Sequence, residues 1–310
     1  MRDAFVAELN DIASENDRVM LITGDLGFGV LTKFAEKYPD QFLNAGVAEQ
    51  NMTLLATGLA LGGRTVFTYS IANFPILRPL EMIRNDACYH RANVKVVAIG
   101  GGFSYGSLGI SHHATEDISI LRSLPDICVV VPCDLHETRQ ATRALVAYQG
   151  TAYLRLDKTT AGEDAGLGSQ PVPFSLGKAR QLREGGDITV FACGGIMKEV
   201  LEAVDGLLSE GIRCSVLSMH TIKPIDAESI LKAARDTGGI LTVEEHTVDG
   251  GLGSAVAEVC MDAGVLPKAF HRIGLRAGFS SIVGSQEYLR KVYGMDASAI
   301  AECVRKLVSS

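Results

Sequence analysis

The sequence lacks the features that mark membrane, secreted and nucleic-acid-binding proteins. Its apolar runs all fall short of the roughly 18 residues of a membrane-spanning helix, and Met1 to Glu8 contain no apolar signal segment. The formal net charge of the 310 residues is −7, and no basic stripe offsets it. We therefore expect neither nucleic acid nor a membrane among the partners.

The cysteines exclude a disulfide framework. They are seven in number, which is odd, and no CxxC pair occurs among them. Scattered single cysteines are typical of reduced, mostly buried thiols, so we expect a cytoplasmic protein without a structural zinc site. They are Cys88, Cys128, Cys133, Cys193, Cys214, Cys260 and Cys303.

Two blocks of alternating strand and helix patterns account for most of the chain. Apolar runs such as Val94–Ile99 suit strands buried on both faces, and intervening helices then require parallel sheets. Between the blocks, Asp157–Ser175 is rich in Gly, Thr, Pro and Asp, which predicts a linker. We predict two doubly wound α/β domains, residues 1–160 and 181–310, joined by a linker over 161–180.

The predicted elements follow from these patterns. In the first block the strands are Val19–Thr23, Arg64–Thr68, Val94–Ile99, Ile127–Val131 and Ala152–Leu156, and the helices are Asp3–Ser14, Glu49–Leu61, Pro75–Arg91 and Leu135–Tyr148. In the second block the strands are Ile188–Cys193, Cys214–Ser218, Gly239–Glu244 and Ala269–Ile273, and the helices are Gly195–Glu210, Asp226–Asp236, Gly251–Ala263 and Ala297–Val308.

Glu49 is the first candidate for a functional residue. A short strand ends near Asn44, a glycine turns the chain, and a helix begins at about Ala48, which places Glu49 in the first helical turn. The helix that follows is almost entirely apolar or small, so we expect it to be buried. The residues alone leave two interpretations: a carboxylate that caps its own helix, or a functional group in a low-dielectric pocket.

Gly102-Phe103-Ser104-Tyr105-Gly106 matches the G-x-S-x-G pattern of serine hydrolases and follows a predicted strand. That pattern needs a helix directly after the serine. The residues from Gly106 to Ser111 form a poor helix, which disfavours a hydrolase. Labelling of Ser104 by a fluorophosphonate would favour it.

A set of motifs in a fixed order resembles the transketolase family. In the first block they are Gly-Val-Ala-Glu-Gln-Asn at 46–51, Glu81–Asn85, Ser111–Asp117, Leu121–Pro125 and Val131–Asp134. In the second block they are Thr221–Asp226, Val243–His246 and Gly250–Ser254. The resemblance covers essentially the whole chain, which is similar to the C-terminal subunit of a split transketolase. It implies a pyrimidine-binding thiamine-diphosphate domain followed by a transketolase C-terminal-like domain.

The resemblance implies thiamine diphosphate as the cofactor and assigns Glu49 to its activation. In the family, a glutamate hydrogen-bonds to the ring atom N1′ and favours the imino tautomer of the aminopyrimidine, which is a competent base. Ile71, Phe74 and Leu77 match positions that stack on this ring, although only Phe74 is aromatic here. Ordinary core residues are the alternative for all three. Asp25 matches an acid near the thiazolium.

The resemblance also assigns residues to the substrate. His112 matches a histidine that contacts the sugar, where it would polarise the substrate or transfer protons. Its neighbour His113 has no counterpart, and no third ligand at a useful spacing supports a metal site. Arg2 and Lys158 match basic residues for a sugar phosphate, with lysine in place of a bidentate arginine. Solvated surface charges are the alternative for both.

Two segments depart from the family pattern. Gly100-Gly101-Gly102 replaces a histidine and an acid, and Ser107-Leu108-Gly109 replaces a Glu-Asp pair; the family residues read sugar hydroxyls. The departures leave cofactor activation intact. We expect the glycine-rich loop to leave room for a bulkier or branched substrate, or for groups from a partner.

The motif that holds the diphosphate in this family is missing. It consists of Gly-Asp-Gly and a later asparagine that binds Mg²⁺ with the aspartate, whereas the nearest string here is Gly24-Asp25-Leu26-Gly27. We therefore expect a separate N-terminal subunit to supply most of the diphosphate and Mg²⁺ binding, in a two-fold symmetric α2β2 assembly. The implied reaction is the transfer of a two-carbon ketol unit between sugar phosphates.

Two alternatives share these features. The β subunit of a pyruvate-dehydrogenase-type enzyme has the same architecture and activating glutamate, and decarboxylation of a 2-oxo acid with a lipoyl acceptor would identify it. A non-catalytic paralogue that only binds or regulates the partner subunit would account for the lost sugar-reading residues.

Overall fold

Two open α/β sheets form the framework of the protein. The computed structural model describes residues 1–166, 174–276 and 278–309. Residues 167–173, in the predicted linker, lie outside the described residues. Both sheets consist mainly of parallel strands connected by helices, which confirms the predicted fold class.

The first sheet carries the residues that the resemblance assigns to the cofactor. Its strands are β1 (Val19–Thr23), β2 (Phe42–Asn44), β3 (Thr65–Ile71), β4 (Val94–Ile99), β5 (Ile127–Val130) and β6 (Thr151–Leu156). Its helices are α1 (Arg2–Glu15), α2 (Thr32–Lys37), α3 (Glu49–Leu61), α4 (Phe74–Leu77), α5 (Leu80–Met82), α6 (Asp117–Arg122) and α7 (Leu135–Ala147). These six strands are parallel, in the order β2-β1-β3-β4-β6-β5.

Successive residues of β1 enter different hydrophobic cores. Met20 and Ile22 pack in one core, whereas Val19 and Leu21 pack in the other. Because side chains alternate across a strand, both faces of the sheet are covered. This explains why the strand reads as a continuous apolar run.

The second sheet follows the same plan. Its strands are β7 (Arg180–Arg183), β8 (Ile188–Ala192), β9 (Cys214–Ser218), β11 (Ile240–Thr247) and β12 (Phe270–Leu275), in the order β12-β11-β8-β9-β7 with β7 antiparallel. Its helices are α8 (Met197–Leu207), α9 (Ala227–Asp236), α10 (Leu252–Asp262), α11 (Gln286–Val292) and α12 (Ala297–Val308). Among the described residues, no helix has both the length and the apolar character to cross a membrane.

A short strand from the second block joins the first sheet. Strand β10 (Thr221–Lys223) pairs antiparallel with β5 and extends the first sheet to seven strands. The Lys223 ammonium donates to the carbonyl oxygen of Arg122 at 3.0 Å. Strand β10 has three residues, too few for an alternating pattern to reveal it. The two halves therefore share backbone hydrogen bonds, which the sequence does not predict.

The predicted continuous helix over Pro75–Arg91 is wrong. The chain instead forms α4, then α5, then a π-helical segment over Ile83–Cys88. Pro79 lies between α4 and α5, and a proline has no N–H and clashes with the preceding helical turn. The break leaves Arg78 on an irregular segment beside the first turn of α3.

The expectation that α3 is buried all around is also wrong for the single chain. Its inner face is buried, but Leu54, Leu55 and Leu61 are exposed. Leu54 and Leu61 lie one above the other with Gly58 between them, which makes an apolar stripe on the helix that begins at Glu49.

Candidate active site

Predicted residues of the cofactor and substrate sites collect where the parallel strands of the first sheet end. Asp25, Glu49, Phe74 and Lys158 each follow the carboxyl end of a different strand. Strands β2 and β3 flank β1 on opposite sides, so the chain direction across the sheet switches there. Ligands of open α/β sheets bind in the crevice at such a switch point.

Glu49 is the first residue of α3, and 4% of its side chain is exposed. Its Oε1 atom accepts a hydrogen bond from Arg78 Nη1 at 2.7 Å. Within the described ranges, neither carboxylate oxygen accepts from a backbone N–H group of α3, so Glu49 does not cap its own helix. Its second oxygen, Oε2, makes no hydrogen bond to any described residue and is free for a ligand.

Arg78 is a site residue that the sequence did not identify. Besides its bond to Glu49, its guanidinium lies 4.4 Å from the centre of the Phe74 ring. The available signal was Pro79, since a proline interrupts a helix, and Arg78, which keeps φ of −67° and ψ of −46°, then lies at the C-terminal end of α4.

The three predicted pyrimidine-pocket residues have different exposures. Ile71, the last residue of β3, and Phe74 are half-buried, whereas Leu77 is exposed. The Phe74 ring meets the edge of the His112 ring, with 5.2 Å between centroids. Phe74 therefore lies between Arg78 and His112, and Leu77 lies on the rim.

His112 is held by neighbouring polar groups. Its Nδ1 atom lies 2.9 Å from the Ser111 hydroxyl, and Asn73 Nδ2 donates to the carbonyl oxygen of His113 at 2.5 Å. Burial lowers the pKa of His112, and the adjacent His113 lowers it further, which favours a neutral imidazole at physiological pH. His113 is fully buried; its Nε2 atom bonds to the Gly106 carbonyl at 3.0 Å and its ring packs on Phe103.

Asp25 lies on the outer rim of the crevice. It is exposed and adopts the left-handed region with φ of 58°. Its backbone N–H donates to Asn44 Oδ1 at 3.0 Å, and Asn44 Nδ2 donates to its carboxylate at 3.1 Å. These bonds tie the loop after β1 to the end of β2, just before the Glu49 turn.

Arg2 and Lys158 line one cleft of about 360 Å³, together with Tyr105. Arg2 pairs with Asp3 at 2.8 Å. The Lys158 ammonium lies 4.3 Å from the centre of the Tyr105 ring, and that ring lies 6.0 Å from the His112 ring. The structure thus brings both predicted phosphate residues together and connects their cleft to His112 through Tyr105.

The room expected at Gly100-Gly101-Gly102 is filled by the protein's own side chains. A Cβ atom on Gly100 would overlap the Tyr105 ring, one on Gly101 would overlap the Arg155 guanidinium, and one on Gly102 would overlap the Glu245 carboxylate. Glycine is required here by close packing. The expectation of space for a bulkier substrate at this loop is therefore wrong.

Ser104 is not arranged as a hydrolase nucleophile. Only a three-residue 3-10 turn, Gly106–Leu108, follows it. Its hydroxyl accepts from the backbone N–H of Lys158 and from Gln286 Nε2, both at 3.3 Å. Neither partner is a general base, so the G-x-S-x-G match does not correspond to the hydrolase elbow.

One cluster among the described residues has metal-like geometry, and it lies apart from the crevice: Cys133, Asp134 and Glu137. Its carboxylates already accept hydrogen bonds. Asp134 accepts from Arg180 and from the N–H of Ala165, both at 2.8 Å, and Glu137 accepts from Ser218 at 3.0 Å. These contacts explain the cluster as a junction between the two halves of the chain.

Glu245, on β11, holds the loop that carries Tyr105 and His112. It is buried and accepts from the N–H of Phe103 at 2.5 Å, from Gln286 Nε2 at 2.8 Å and from Arg290 Nε at 2.5 Å. The second half of the chain therefore fixes the geometry of a loop at the crevice, which the sequence did not predict.

Replacing Glu245 by Ala is expected to lower the free energy of unfolding by roughly 3 kcal/mol, because the buried Arg290 then loses its nearer carboxylate and keeps only Glu199, 3.3 Å away. Glu245→Gln keeps an acceptor and should lose less. Chemical denaturation measures the stability, and hydrogen exchange should be faster in residues 100–114 of the Ala variant.

The control is Glu210→Ala, which removes an exposed partner of Arg305 and should leave the stability nearly unchanged. Unchanged stability and exchange in Glu245→Ala would show that this carboxylate does not hold the loop.

Comparisons with known proteins agree with this arrangement. The model of the transketolase pyrimidine-binding domain matches residues 1–162, and that of the transketolase C-terminal domain matches residues 177–300. An apulose-4-phosphate transketolase subunit of Phocaeicola vulgatus is 35% identical over 99% of this chain and 97% of its own. A 6-deoxy-6-sulfo-D-fructose transketolase subunit of a Clostridium species is 35% identical over 99% of this chain and 94% of its own.

A solved structure has the same fold along the whole chain. It is described as a split-gene transketolase in an inactive β4 tetramer. It superposes with a TM-score of 0.87 and 35% identity, over 99% of this chain and 97% of that chain.

Proposed function

The chain belongs to the transketolase family, as the C-terminal subunit of a split, thiamine-diphosphate-dependent enzyme, and on that premise we propose a reaction and the residues that perform it. The proposed reaction is transfer of a two-carbon ketol unit between phosphorylated sugars. The observation that carries it is Glu49, buried at the start of α3, whose Oε2 makes no hydrogen bond to any described residue.

The pocket around Glu49 fits the aminopyrimidine half of the cofactor. When bound, thiamine diphosphate supplies the carbon nucleophile that attacks the ketose carbonyl. Glu49 would share a proton with N1′ through Oε2, while Arg78 fixes Oε1. Ile71 and Phe74 would line the ring, Leu77 would close its outer edge, and Asp25 would lie towards the thiazolium.

His112 and the basic cleft would hold the sugar. A neutral imidazole, favoured by the lowered pKa, can accept or donate a proton at a substrate hydroxyl. Arg2 and Lys158, which line the same cleft, would bind the phosphate at the far end of the substrate. By their names, the relative from Phocaeicola vulgatus acts on a sugar phosphate and the relative from a Clostridium species acts on a sulfosugar. Both compounds end in an anionic group.

An N-terminal subunit would complete the site in an α2β2 assembly. It would bind the diphosphate and Mg²⁺, because this sequence lacks the family's motif for both. The exposed apolar stripe on α3 supports such a partner, because exposed apolar patches mark binding surfaces. Its leucines, Leu54, Leu55 and Leu61, lie one to three turns after Glu49. A cytoplasmic location is supported by seven cysteines without a disulfide.

The test compares the lone chain with the complex of this chain and its N-terminal subunit. We expect calorimetry to detect thiamine diphosphate and Mg²⁺ binding only by the complex. We expect only the complex to transfer ketol units from xylulose 5-phosphate, fructose 6-phosphate or sedoheptulose 7-phosphate to an aldose phosphate.

Two results would contradict the proposal. Decarboxylation of a 2-oxo acid with a lipoyl acceptor, without ketol transfer, would show a pyruvate-dehydrogenase-type subunit. A complex that forms but binds no cofactor would show a non-catalytic partner subunit.

A further inference from the structure

Tyr105 lines the basic cleft. The Lys158 ammonium lies 4.3 Å from the centre of its ring, and the His112 ring lies 6.0 Å from it. Arg2 lines the same cleft. Tyr105 therefore lies close both to the proposed phosphate-binding residues and to the proposed proton-transfer residue.

The position of the ring is fixed by the glycine loop. Gly100 follows β4 in the left-handed region, with φ of 93°, and a side chain there would overlap the Tyr105 ring. The ring thus fills the space that a longer residue would occupy at the end of β4. The 3-10 turn that follows Tyr105 is held in place, since Gly106 N–H donates to the Phe103 carbonyl at 2.8 Å.

The Tyr105 hydroxyl makes no hydrogen bond to any described residue, although the side chain is half-buried. Burial raises the pKa of this phenol, so it stays protonated at neutral pH and can donate. Such a donor is available to an oxygen of a bound ligand.

Lys158 leaves a cation in the cleft available to an anionic ligand. Two carboxylates also line the cleft: Asp3 pairs with Arg2 at 2.8 Å, and the buried Asp157 accepts from the N–H of Gly195 at 2.6 Å through Oδ2, while its Oδ1 accepts no hydrogen bond from a described residue. Lys158, exposed, forms no ion pair with a described residue. Its ammonium and the phenol hydroxyl together provide donors for a tetrahedral oxyanion.

We propose that the Tyr105 hydroxyl donates a hydrogen bond to the terminal oxyanion of the sugar substrate, beside Arg2 and Lys158, and so determines specificity for substrates that carry this group. The identification of the ligand as a sugar rests on the proposed function, in which the oxyanion is a phosphate. A sulfonate offers the same oxygens, so both anions belong in the test.

The test uses Tyr105→Phe in the complex with the N-terminal subunit, because this change removes the hydroxyl and keeps the ring. Calorimetry with inorganic phosphate and with methanesulfonate as probes should show affinity reduced roughly ten- to hundredfold for the anion that the cleft accepts. The kinetic test uses the ketose phosphate that the wild-type complex converts with the highest kcat/KM. The KM for this substrate should rise by the same factor in Tyr105→Phe. The kcat value and the KM for the unphosphorylated ketose should stay unchanged.

The matched control is Tyr148→Phe. Tyr148 is also half-buried under a lysine, with Lys95 Nζ 5.0 Å from its ring centre, but Lys95 lies near the opposite end of β4. This variant should bind both anions as the wild type does.

Unchanged anion affinity in Tyr105→Phe, or an equal rise in KM for the unphosphorylated ketose, would overturn the inference. The calorimetry does not need turnover. A wild-type complex that transfers no ketol unit, yet loses anion affinity in Tyr105→Phe, would contradict the proposed reaction and support the role of Tyr105.

Discussion

Replacing Glu49 by Gln is expected to lower kcat of the assembled enzyme by roughly 10²- to 10⁴-fold, the usual contribution of a positioned acid–base group. Glutamine keeps the shape and an oxygen that can accept from Arg78, but it has no carboxylic proton to share with N1′. Since Arg78 is 48% exposed, loss of the ion pair should cost about 1 kcal/mol of stability or less. Steady-state kinetics measures kcat, thermal unfolding measures the stability, and size-exclusion chromatography shows whether the complex still forms.

Glu8→Gln is a closely matched control for this substitution. Glu8 is 8% exposed and pairs with Arg143, which is 48% exposed, so the burial of both partners resembles that of Glu49 and Arg78. Glu8 lies within α1 and has no proposed role. Activity near the wild-type value in Glu49→Gln would refute the assignment, whereas equal losses in both variants would indicate a general effect of removing a buried charge.

Replacing Leu54 by Asp is expected to weaken the affinity for the N-terminal subunit at least about hundredfold. An aspartate would be desolvated without a partner at the interface, and the apolar contact of the leucine, worth about 1.5–3 kcal/mol, would be lost. Leu54 is 42% exposed in this chain, so the isolated subunit should fold normally. Light scattering of the co-purified subunits and titration of activity against the N-terminal subunit measure the loss.

The control for Leu54 is Leu208→Asp. Leu208 is 56% exposed and lies in the short 3-10 turn after α8, away from α3. This variant should assemble as the wild type does. A Leu54→Asp chain that still forms the complex at wild-type concentrations would show that the stripe on α3 is not the binding surface.

The regular elements of the fold were predictable because their signals are local. Val19–Thr23 and Val94–Ile99 were predicted as strands with the observed bounds, and Glu49–Leu61 was predicted as a helix with the observed bounds. The prediction of a continuous helix from Pro75 was wrong because Pro79 interrupts the helix. Strand β10 was missed because its partner strand, β5, is distant in the sequence.

Site residues were predictable where a sequence motif places them at the end of a strand. They were not predictable where contacts with residues distant in the sequence determine their role. Glu49, Phe74 and His112 were identified from segments that resemble family motifs, and the structure places them around one crevice. Arg78, Tyr105 and Glu245 were missed because their roles depend on neighbours that the sequence does not reveal. The triple glycine was misinterpreted for the same reason, since the side chains that fill its space come from Tyr105, Arg155 and Glu245.

By itself, the sequence determined the α/β architecture, the resemblance to the C-terminal half of a transketolase, and the absence of the family's diphosphate motif. These follow from hydrophobic periodicity and motif order, which are properties of contiguous segments. Only the tertiary structure decided that Oε2 of Glu49 accepts no hydrogen bond from a described residue, that Tyr105 lines the basic cleft, and that Glu245 holds the loop that carries Tyr105 and His112. Those features require groups from distant segments to be packed within a few ångströms, and burial of their polar atoms then dictates which hydrogen bonds must form.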